Sequence, residues 1–394
     1  MKKMKKQASQ SGLRTWIEID TKAIAHNYRI FRKLIGKKTK LLGVVKSNAY
    51  GHDLIEFSSE LERVGVDYLG VDSLVEGLTL RKAGVRIPIL VLGHTLPKLF
   101  PDACKADIAV TISSFTMLHE ALRMKAGRTP LRMHIKVDTG MHRQGFQLHE
   151  KSALITQLGS ATSKLKIEGL YTHFAEAKNP RSGDNTHRQI KEFKEWIKAF
   201  HDAGLTPIVH ASATGGTLLY PAAHFDMVRI GIGCYGLWPS PDSERHLGSK
   251  LTLKPVLSWR AVISEVKEVK KGERVGYDLT DMLTRNSRLA VIPVGYWHGF
   301  PRLLSSKGRV LIHGKTARVL GRVSMDMIVV DVTDIPKAIP GDIVTLIGTD
   351  SYSRKANGQG GKEEIKAGEL AQFAATTHYE IVTRLNPLMR RFYR

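Results

Sequence analysis

Leu41-Leu42-Gly43-Val44-Val45-Lys46 is a short apolar run that ends abruptly in a cation, and Ser47-Asn48-Ala49-Tyr50-Gly51-His52 follows it. A run this short, closed by charge and a polar string, predicts a strand buried on both faces of a parallel sheet. Similar runs follow at Tyr68–Val71, Ile87–Leu92, Ile108–Ile112, Leu131–Val137, Ile167–Tyr171, Pro207–Val209 and Met227–Ile232. They are rich in Val, Ile and Leu, and most are too short for helices. Helix-like stretches lie between them, most clearly Ala23–Leu34, Ser114–Lys125 and His187–Ala203. About eight strand–helix units in a row predict an α/β fold with a (β/α)8 TIM-type barrel rather than an open doubly wound sheet.

The pattern changes after Pro255. Val256–Val269, Leu289–Val294, Val310–His313, Ala317–Leu320, Met327–Val332 and Ile343–Ile347 alternate or are β-rich, with Gly-containing turns between them. This predicts a mainly β second domain, closed by a short helix (Ala367–Ala375) and a final strand. Residues 1–12 read as a disordered basic tail, 13–250 as the barrel and 251–394 as the β domain. Trp16-Ile17-Glu18-Ile19-Asp20 precedes the first barrel unit and could pair with the second domain. Ser351–Lys362 is polar and Gly-rich, so it reads as a mobile loop.

A chain of 394 residues with 42% hydrophobic residues can bury a large core without disulfide staples. Cys104 and Cys234 are its two cysteines, far apart in sequence. That argues against a disulfide framework and a Cys-based zinc site, and fits a cytoplasmic protein. The basic N-terminus lacks the apolar segment of a secretory signal, and no run is long enough to span a bilayer. A net charge of +23 invites a nucleic-acid reading. The basic residues are scattered, however, and no zinc-finger, RRM or KH motif is visible. No nucleic-acid, membrane or metal partner is expected.

Polar residues at the C-terminal ends of barrel strands carry the chemical signal, because that is the face where this fold places its sites. Lys46 closes the first strand; a desolvated lysine suits a Schiff-base nucleophile, whereas a snorkelling lysine is the bland alternative. Lys136 and Asp138 share a face of the fifth strand and read as an ion pair or as site residues. His173 ends the sixth strand. Thr214-Gly215-Gly216 follows the seventh and could expose backbone N–H groups to a phosphate. Arg229 lies inside the apolar eighth strand and needs an acceptor. Together these groups suit an anionic, phosphate-bearing cofactor attached to a lysine.

At motif level, VVKSNAYGH (44–52), KVDTGMHRQG (136–145), YTHFA (171–175), MVRIGIGCYGLWPS (227–240), GERVGYD (272–278), GYWHGFPR (295–302), GRVSMDM (321–327) and THYE (377–380) occur in order. From about Leu13 to the C-terminus the chain resembles the bacterial alanine racemases, a fold-type III family that uses pyridoxal 5′-phosphate. The resemblance implies interconversion of L- and D-alanine by two bases, supplying D-alanine for peptidoglycan. It implies that Lys46 holds the cofactor and is one base. Tyr277 is the other, contributed across a homodimer with shared active sites. Arg229 would meet the pyridine nitrogen, with His173 between Arg229 and Tyr277. Arg143 would hold the cofactor's phenolic oxygen and the substrate carboxylate. Lys136 resembles a lysine that is often carbamylated. Tyr50, Thr214, Gly231, Ile232 and Tyr379 would bind phosphate. Met325 would bind substrate, and Tyr296 and Asp326 would gate access.

The chain departs from the family pattern at Ala213-Thr214, Trp297-His298, Ile230 and Met389-Arg390-Arg391. None of these removes a catalytic group, but they put the access channel, and so substrate breadth, in question. The alternative is a broader racemase acting on serine, lysine or arginine. A related decarboxylase would need a cysteine-bearing motif that is absent, and a cofactor-homeostasis protein would be a barrel alone.

Overall fold

The structure, a computed structural model, describes residues 12–125, 127–159, 164–181, 183–351 and 362–394. Most of the basic tail and of the Ser351–Lys362 stretch lies outside the described residues.

The barrel strands are β2 (Lys40–Val44), β3 (Tyr68–Val71), β4 (Ile89–Val91), β5 (Ile108–Ile112), β6 (Leu131–Lys136), β7 (Leu165–Tyr171), β8 (Ile208–Ala213) and β9 (Met227–Ile230); β1 (Thr15–Ile19) precedes them. Every neighbouring pair is parallel, and β2 pairs β9 to close the ring. The apolar runs are strands because both faces are covered, by the barrel interior and by helices. Two strands extend past the runs read from the sequence: Leu165 and Lys166 begin β7, and His210–Ala213 end β8.

Helix α1 (Thr21–Ile35) comes before the first barrel strand, yet it covers the ring beside its last one. Its buried residues Ala23, Ile24, Asn27, Phe31 and Ile35 recur at helical spacing. Asn27 donates to the carbonyls of Cys234 (3.4 Å) and Lys254 (2.9 Å) and accepts from the Lys254 amide at 2.9 Å. Phe31 lies so close to Gly233 that a Cβ there would sit 2.4 Å from the ring. The remaining crossover helices include α2 (Leu54–Val64), α3 (Leu74–Lys82) and, between β7 and β8, α4 (Gly183–Asp202). Ser73 caps α3, with Glu76 completing a capping box.

The second unit is built on an antiparallel sheet. Its strands are β10 (Leu257–Val262), β11 (Glu265–Val269), β12 (Arg274–Val275), β13 (Asp281–Met282), β14 (Ser287–Ile292), β15 (Arg309–Ile312), β16 (Lys315–Leu320), β17 (Ile328–Asp331), β18 (Ile343–Ser351), β19 (Lys362–Ile365) and β20 (Arg391–Tyr393). The main path runs β11-β14-β17-β16-β15-β18-β10-β1-β20. The apolar stretch 256–269 is two strands, because the chain turns at Ile263-Ser264 to leave β18 and pair with β14. This unit contains β1, which pairs antiparallel with β10 and parallel with β20, and it also takes in Tyr50–Asp53. The other unit is Lys22–Ala49 with Leu54–Pro255. Gly51 belongs to the β unit by necessity: its φ is +82°, a Cβ would lie 2.0 Å from the Val382 carbonyl, and its own carbonyl accepts from Arg391 at 3.0 and 3.2 Å.

Both cysteines are free thiols. Among the described residues, no helix is long and apolar enough to cross a membrane, and no group of three or more His, Cys, Asp or Glu is placed to hold a metal ion.

Candidate active site

Lys46 stands just past β2. Ser47, Asn48, Ala49 and Tyr50 after it all have left-handed backbone (φ 57°, 55°, 49° and 51°), although none is glycine. Such a turn costs on the order of 1–2 kcal/mol per residue and persists only where its surroundings impose it. Glu76 supplies one restraint: its Oε1 accepts from the Ser47 amide at 2.7 Å while Oε2 accepts from the Asp72 amide at 2.8 Å. Asn48 supplies another, accepting from the Leu54 amide at 2.9 Å. The strained turn therefore fixes where Lys46 emerges. Its Nζ lies 3.3 Å from Asp72 Oδ1, and its side chain is 39% exposed. Lys46 is thus not the desolvated lysine that its apolar strand predicts.

The buried lysine is Lys136, at the end of β6. Its pKa is lowered to about 8 by burial first, then by Arg143 and Arg229. It donates to Gln144 Oε1 at 3.1 Å and sits 5.5 Å from the centre of the Tyr171 ring. The ion pair with Asp138 allowed by strand periodicity is not the main contact. Asp138 Oδ1 instead accepts from the amides of Gly140, Met141 and His142 at 2.9–3.1 Å and so shapes the turn that presents Arg143.

Arg229 is a buried cation in β9 with its acceptors built around it. One terminal nitrogen donates to His210 Nδ1 at 2.8 Å. The other meets the carbonyls of Ala211 (2.7 Å) and Thr172 (2.8 Å) and lies 3.2 Å from His173 Nδ1. Burial lowers its pKa to about 10, which leaves it charged at neutral pH. Burial, then Arg229, Arg143, Lys136 and Lys46, push the His173 pKa down to about 3, so its imidazole is neutral. Four cations thus act on one histidine, while Asp72 is paired with Lys46 and Asp138 is occupied by backbone amides. The mouth carries excess positive charge and suits an anion.

Thr214 opens the short helix Thr214–Leu219, whose N-cap, Ala213, offers no capping side chain. Thr214 Oγ1 accepts from the Gly233 amide at 3.3 Å, which ties it to the turn holding Gly231 and Ile232. Gly215 and Gly216 serve packing: a Cβ on either would come within 2.7–2.9 Å of the Ala177 carbonyl or Ser212 Oγ. Thr214, Gly231 and Ile232 are therefore together, next to the cationic mouth, in an arrangement that fits a phosphate-bearing group.

The other expected site residues belong to the β unit. Tyr50 and Tyr379 are neighbours there, with ring centroids 6.2 Å apart, and burial raises the Tyr379 pKa to about 12. Tyr296 and Met325 are brought together by backbone bonds: the Tyr296 amide donates to Ser324 and the Trp297 amide to Met325, each at 3.0 Å. His298 is a buried turn residue whose Nδ1 accepts from the Gly295 amide and lies 3.9 Å from Asp326. Tyr277 is 68% exposed, beside Asp278 and Leu279 in left-handed backbone.

Sequence reasoning assigned no role to His134, Glu168 or His210, yet all three are buried below Arg229. The signal was Gly169 in mid-strand, since an interior strand glycine often marks a close approach. Here a Cβ would lie 2.0 Å from His134 Nδ1.

Residues 19–239 match the family model for the alanine racemase N-terminal domain, and residues 256–393 match that for the C-terminal domain. The chain is 37% identical over 382 residues to the alanine racemase of Halothermothrix orenii, covering 96% of this chain and 97% of that one. An alanine racemase structure from Bacillus anthracis with bound L-Ala-P superposes with a TM-score of 0.87 at 32% identity, covering 97% of this chain and 95% of that chain. One from Bartonella henselae, with covalently bound pyridoxal phosphate, gives 0.84 at 28% identity, covering 97% and 100%.

The lowered Lys136 pKa has a signed consequence. Between about pH 8 and the ordinary lysine range, the unfolded chain holds a proton that the folded chain does not, so this group makes stability rise with pH. In carbon-dioxide-free buffer, urea midpoints of the wild type should rise more between about pH 7.5 and about pH 9.5 than those of Lys136→Met. Parallel pH dependences in the two proteins would contradict the assignment.

Proposed function

The chain belongs to the alanine racemase family, and from that premise we propose how its residues divide the interconversion of L-alanine and D-alanine. The observation that carries the proposal is the cationic barrel mouth, with Lys46 on its strained turn and Arg229 buried beneath. Pyridoxal 5′-phosphate, the family's cofactor, supplies the electron sink that makes the substrate Cα–H acidic. Lys46 would hold it covalently. Thr214, Gly231, Ile232, Tyr50 and Tyr379 would serve its phosphate. Arg143 would meet its phenolic oxygen and the substrate carboxylate. Arg229 would donate to its ring nitrogen; a guanidinium that stays charged resists giving up that proton, so the ring stays largely unprotonated and side reactions are disfavoured.

Racemisation needs a proton removed on one face of Cα and returned on the other. We assign one face to Lys46 Nζ and the other to Tyr277 Oη, contributed by the second protomer of a homodimer. An exposed Tyr277 suits that role, and it is accompanied on the β unit by exposed Leu279, Met282, Tyr296, Trp297 and Met325. Apolar exposure on this scale favours a covering partner. Met325 would contact substrate, and Tyr296 and Asp326 would gate access. Lys136, with its lowered pKa, can react as a free amine with carbon dioxide, losing a proton to become a carbamate that pairs with Arg143. The product would supply peptidoglycan synthesis in the cytoplasm. Nothing in the comparisons favours the broader racemase for serine, lysine or arginine.

Purified protein supplied with cofactor should convert L-alanine to an equal mixture of enantiomers, and should turn over L-serine far more slowly. Lys46→Ala should abolish activity, and Tyr277→Phe should slow it mainly from L-alanine; full activity in either variant would remove that base. Sedimentation equilibrium should give twice the chain mass, and a monomer active at assay concentration would contradict shared sites. Labelled bicarbonate should give a carbamate carbon signal that Lys136→Met lacks; a signal in both would place it elsewhere.

A further inference from the structure

Beneath Arg229 the barrel interior holds a line of polar groups that the proposed chemistry does not use. His210 Nδ1 lies 2.8 Å from Arg229, and His210 Nε2 lies 2.8 Å from His134 Nδ1. His134 Nε2 faces Glu168 Oε1 at 3.5 Å, a long contact, and has no closer partner. Glu168 accepts from both Nε and Nη2 of Arg132, the latter at 2.7 Å, and from the Tyr68 hydroxyl at 3.2 Å. The line of Arg229, His210, His134 and Glu168 takes one member from each of β9, β8, β6 and β7.

Donor chemistry sets the direction of this line. A guanidinium has no acceptor, so His210 Nδ1 must be unprotonated. Burial, then Arg229 and His134, hold His210 neutral, so its single proton is on Nε2 and points at His134. His134 Nδ1 must then accept. Burial keeps His134 neutral too, against the pull of Glu168, and its proton is on Nε2, towards the carboxylate. Burial opposes ionisation of Glu168, but the pull of His134 and the bonds from Arg132 outweigh it and hold the carboxyl well below the usual range. Both tautomers are therefore fixed by the two ends, a donor-only arginine and an acceptor-only carboxylate.

The surroundings hold the rings in that arrangement. Gly169 makes room for His134 where the β6–β7 register shifts between Met133 and His134. Tyr171 stacks on His210, with centroids 4.7 Å apart and planes 8° apart, and its hydroxyl is 2.8 Å from Thr111 Oγ1.

We infer that His134 and Glu168 are positioning residues for the racemase reaction, acting through His210 on Arg229. The inference rests on the reading of Arg229 as the donor to the cofactor's ring nitrogen. The chain commits one terminal nitrogen of the guanidinium to His210 and the other to the carbonyls of Ala211 and Thr172, and these contacts together fix the plane of the group. Glu168, earlier on β7 than Thr172 and His173, is the anchor of that orientation.

The test is nitrogen-15 NMR of the histidines in the cofactor-loaded protein, with His134→Gln and His210→Gln assigning signals. Two rings should carry protons on Nε2, shielded from exchange, and bare Nδ1 atoms. A protonated Nδ1 on His210, or a charged His134, would overturn the hydrogen-bond chain. Glu168→Leu should lose the His134 signal and lower kcat by about tenfold, the scale of a lost charged hydrogen bond, with KM nearly unchanged. Glu168→Gln, whose oxygen can still accept, should restore most of kcat. Full kcat in Glu168→Leu would overturn the positioning role, and the wild-type spectrum still decides the tautomers if that variant does not fold. An unchanged kcat in Arg229→Lys would instead overturn the reading of Arg229.

Discussion

Arg229 puts a permanent positive charge inside a parallel barrel, where every N–H donor must find an acceptor in place of water. That requirement organises β9, β8 and the end of β7 together. The carbonyls of Thr172 and Ala211 turn towards the guanidinium, His210 presents a bare nitrogen, and His173 is drawn in from the mouth. A buried cation without such partners would cost several kcal/mol. With them, the guanidinium becomes a rigid, oriented donor set into the floor of the site. Its charge also reaches outward, helping to keep His173 neutral and to lower the pKa of Lys136.

At the mouth the constraint is backbone strain rather than charge. The left-handed turn from Ser47 to Tyr50 is held from inside the barrel unit by Glu76 and Asn48. Lys46, directly before it, has little choice of exit direction. In the proposed role of holding the cofactor and moving a proton at one face of Cα, Lys46 would benefit from that restriction, because misplacement of a reacting group is costly in rate. Asp72 steadies the ammonium without burying it. The floor and the mouth thus do different work: Arg229 fixes electrostatics and Lys46 fixes geometry.

Much of this was legible in the sequence. The barrel followed from short apolar runs in register with helical stretches, because burial on both faces leaves a periodic record. The first four motifs hold the residues that the barrel unit gathers at its mouth, Lys46, Lys136, Arg143, His173 and Arg229. What the sequence hid has physical reasons. Ser47-Asn48-Ala49-Tyr50 contains no glycine, so nothing local announces left-handed backbone. Burial was assigned to Lys46 from its apolar strand, whereas the lysine inside the site is Lys136, whose flanking His134 and Asp138 gave it the look of a polar strand end. Glu168 resembles a surface residue until Gly169 beside it is understood as room for the His134 ring. The placement of α1 beside β9 depends on Asn27 and Phe31 meeting residues some two hundred positions away, which no local pattern records.

The central claim is that proton removal and return occur on opposite faces, at Lys46 and Tyr277. It is tested most directly by following L-alanine in deuterium oxide by NMR from the first turnovers. Two separate bases predict that newly formed D-alanine carries deuterium at Cα while the remaining L-alanine is still largely protiated. D-alanine that retains the substrate's own protium would contradict the account, because a single group would then be carrying the proton from one face to the other.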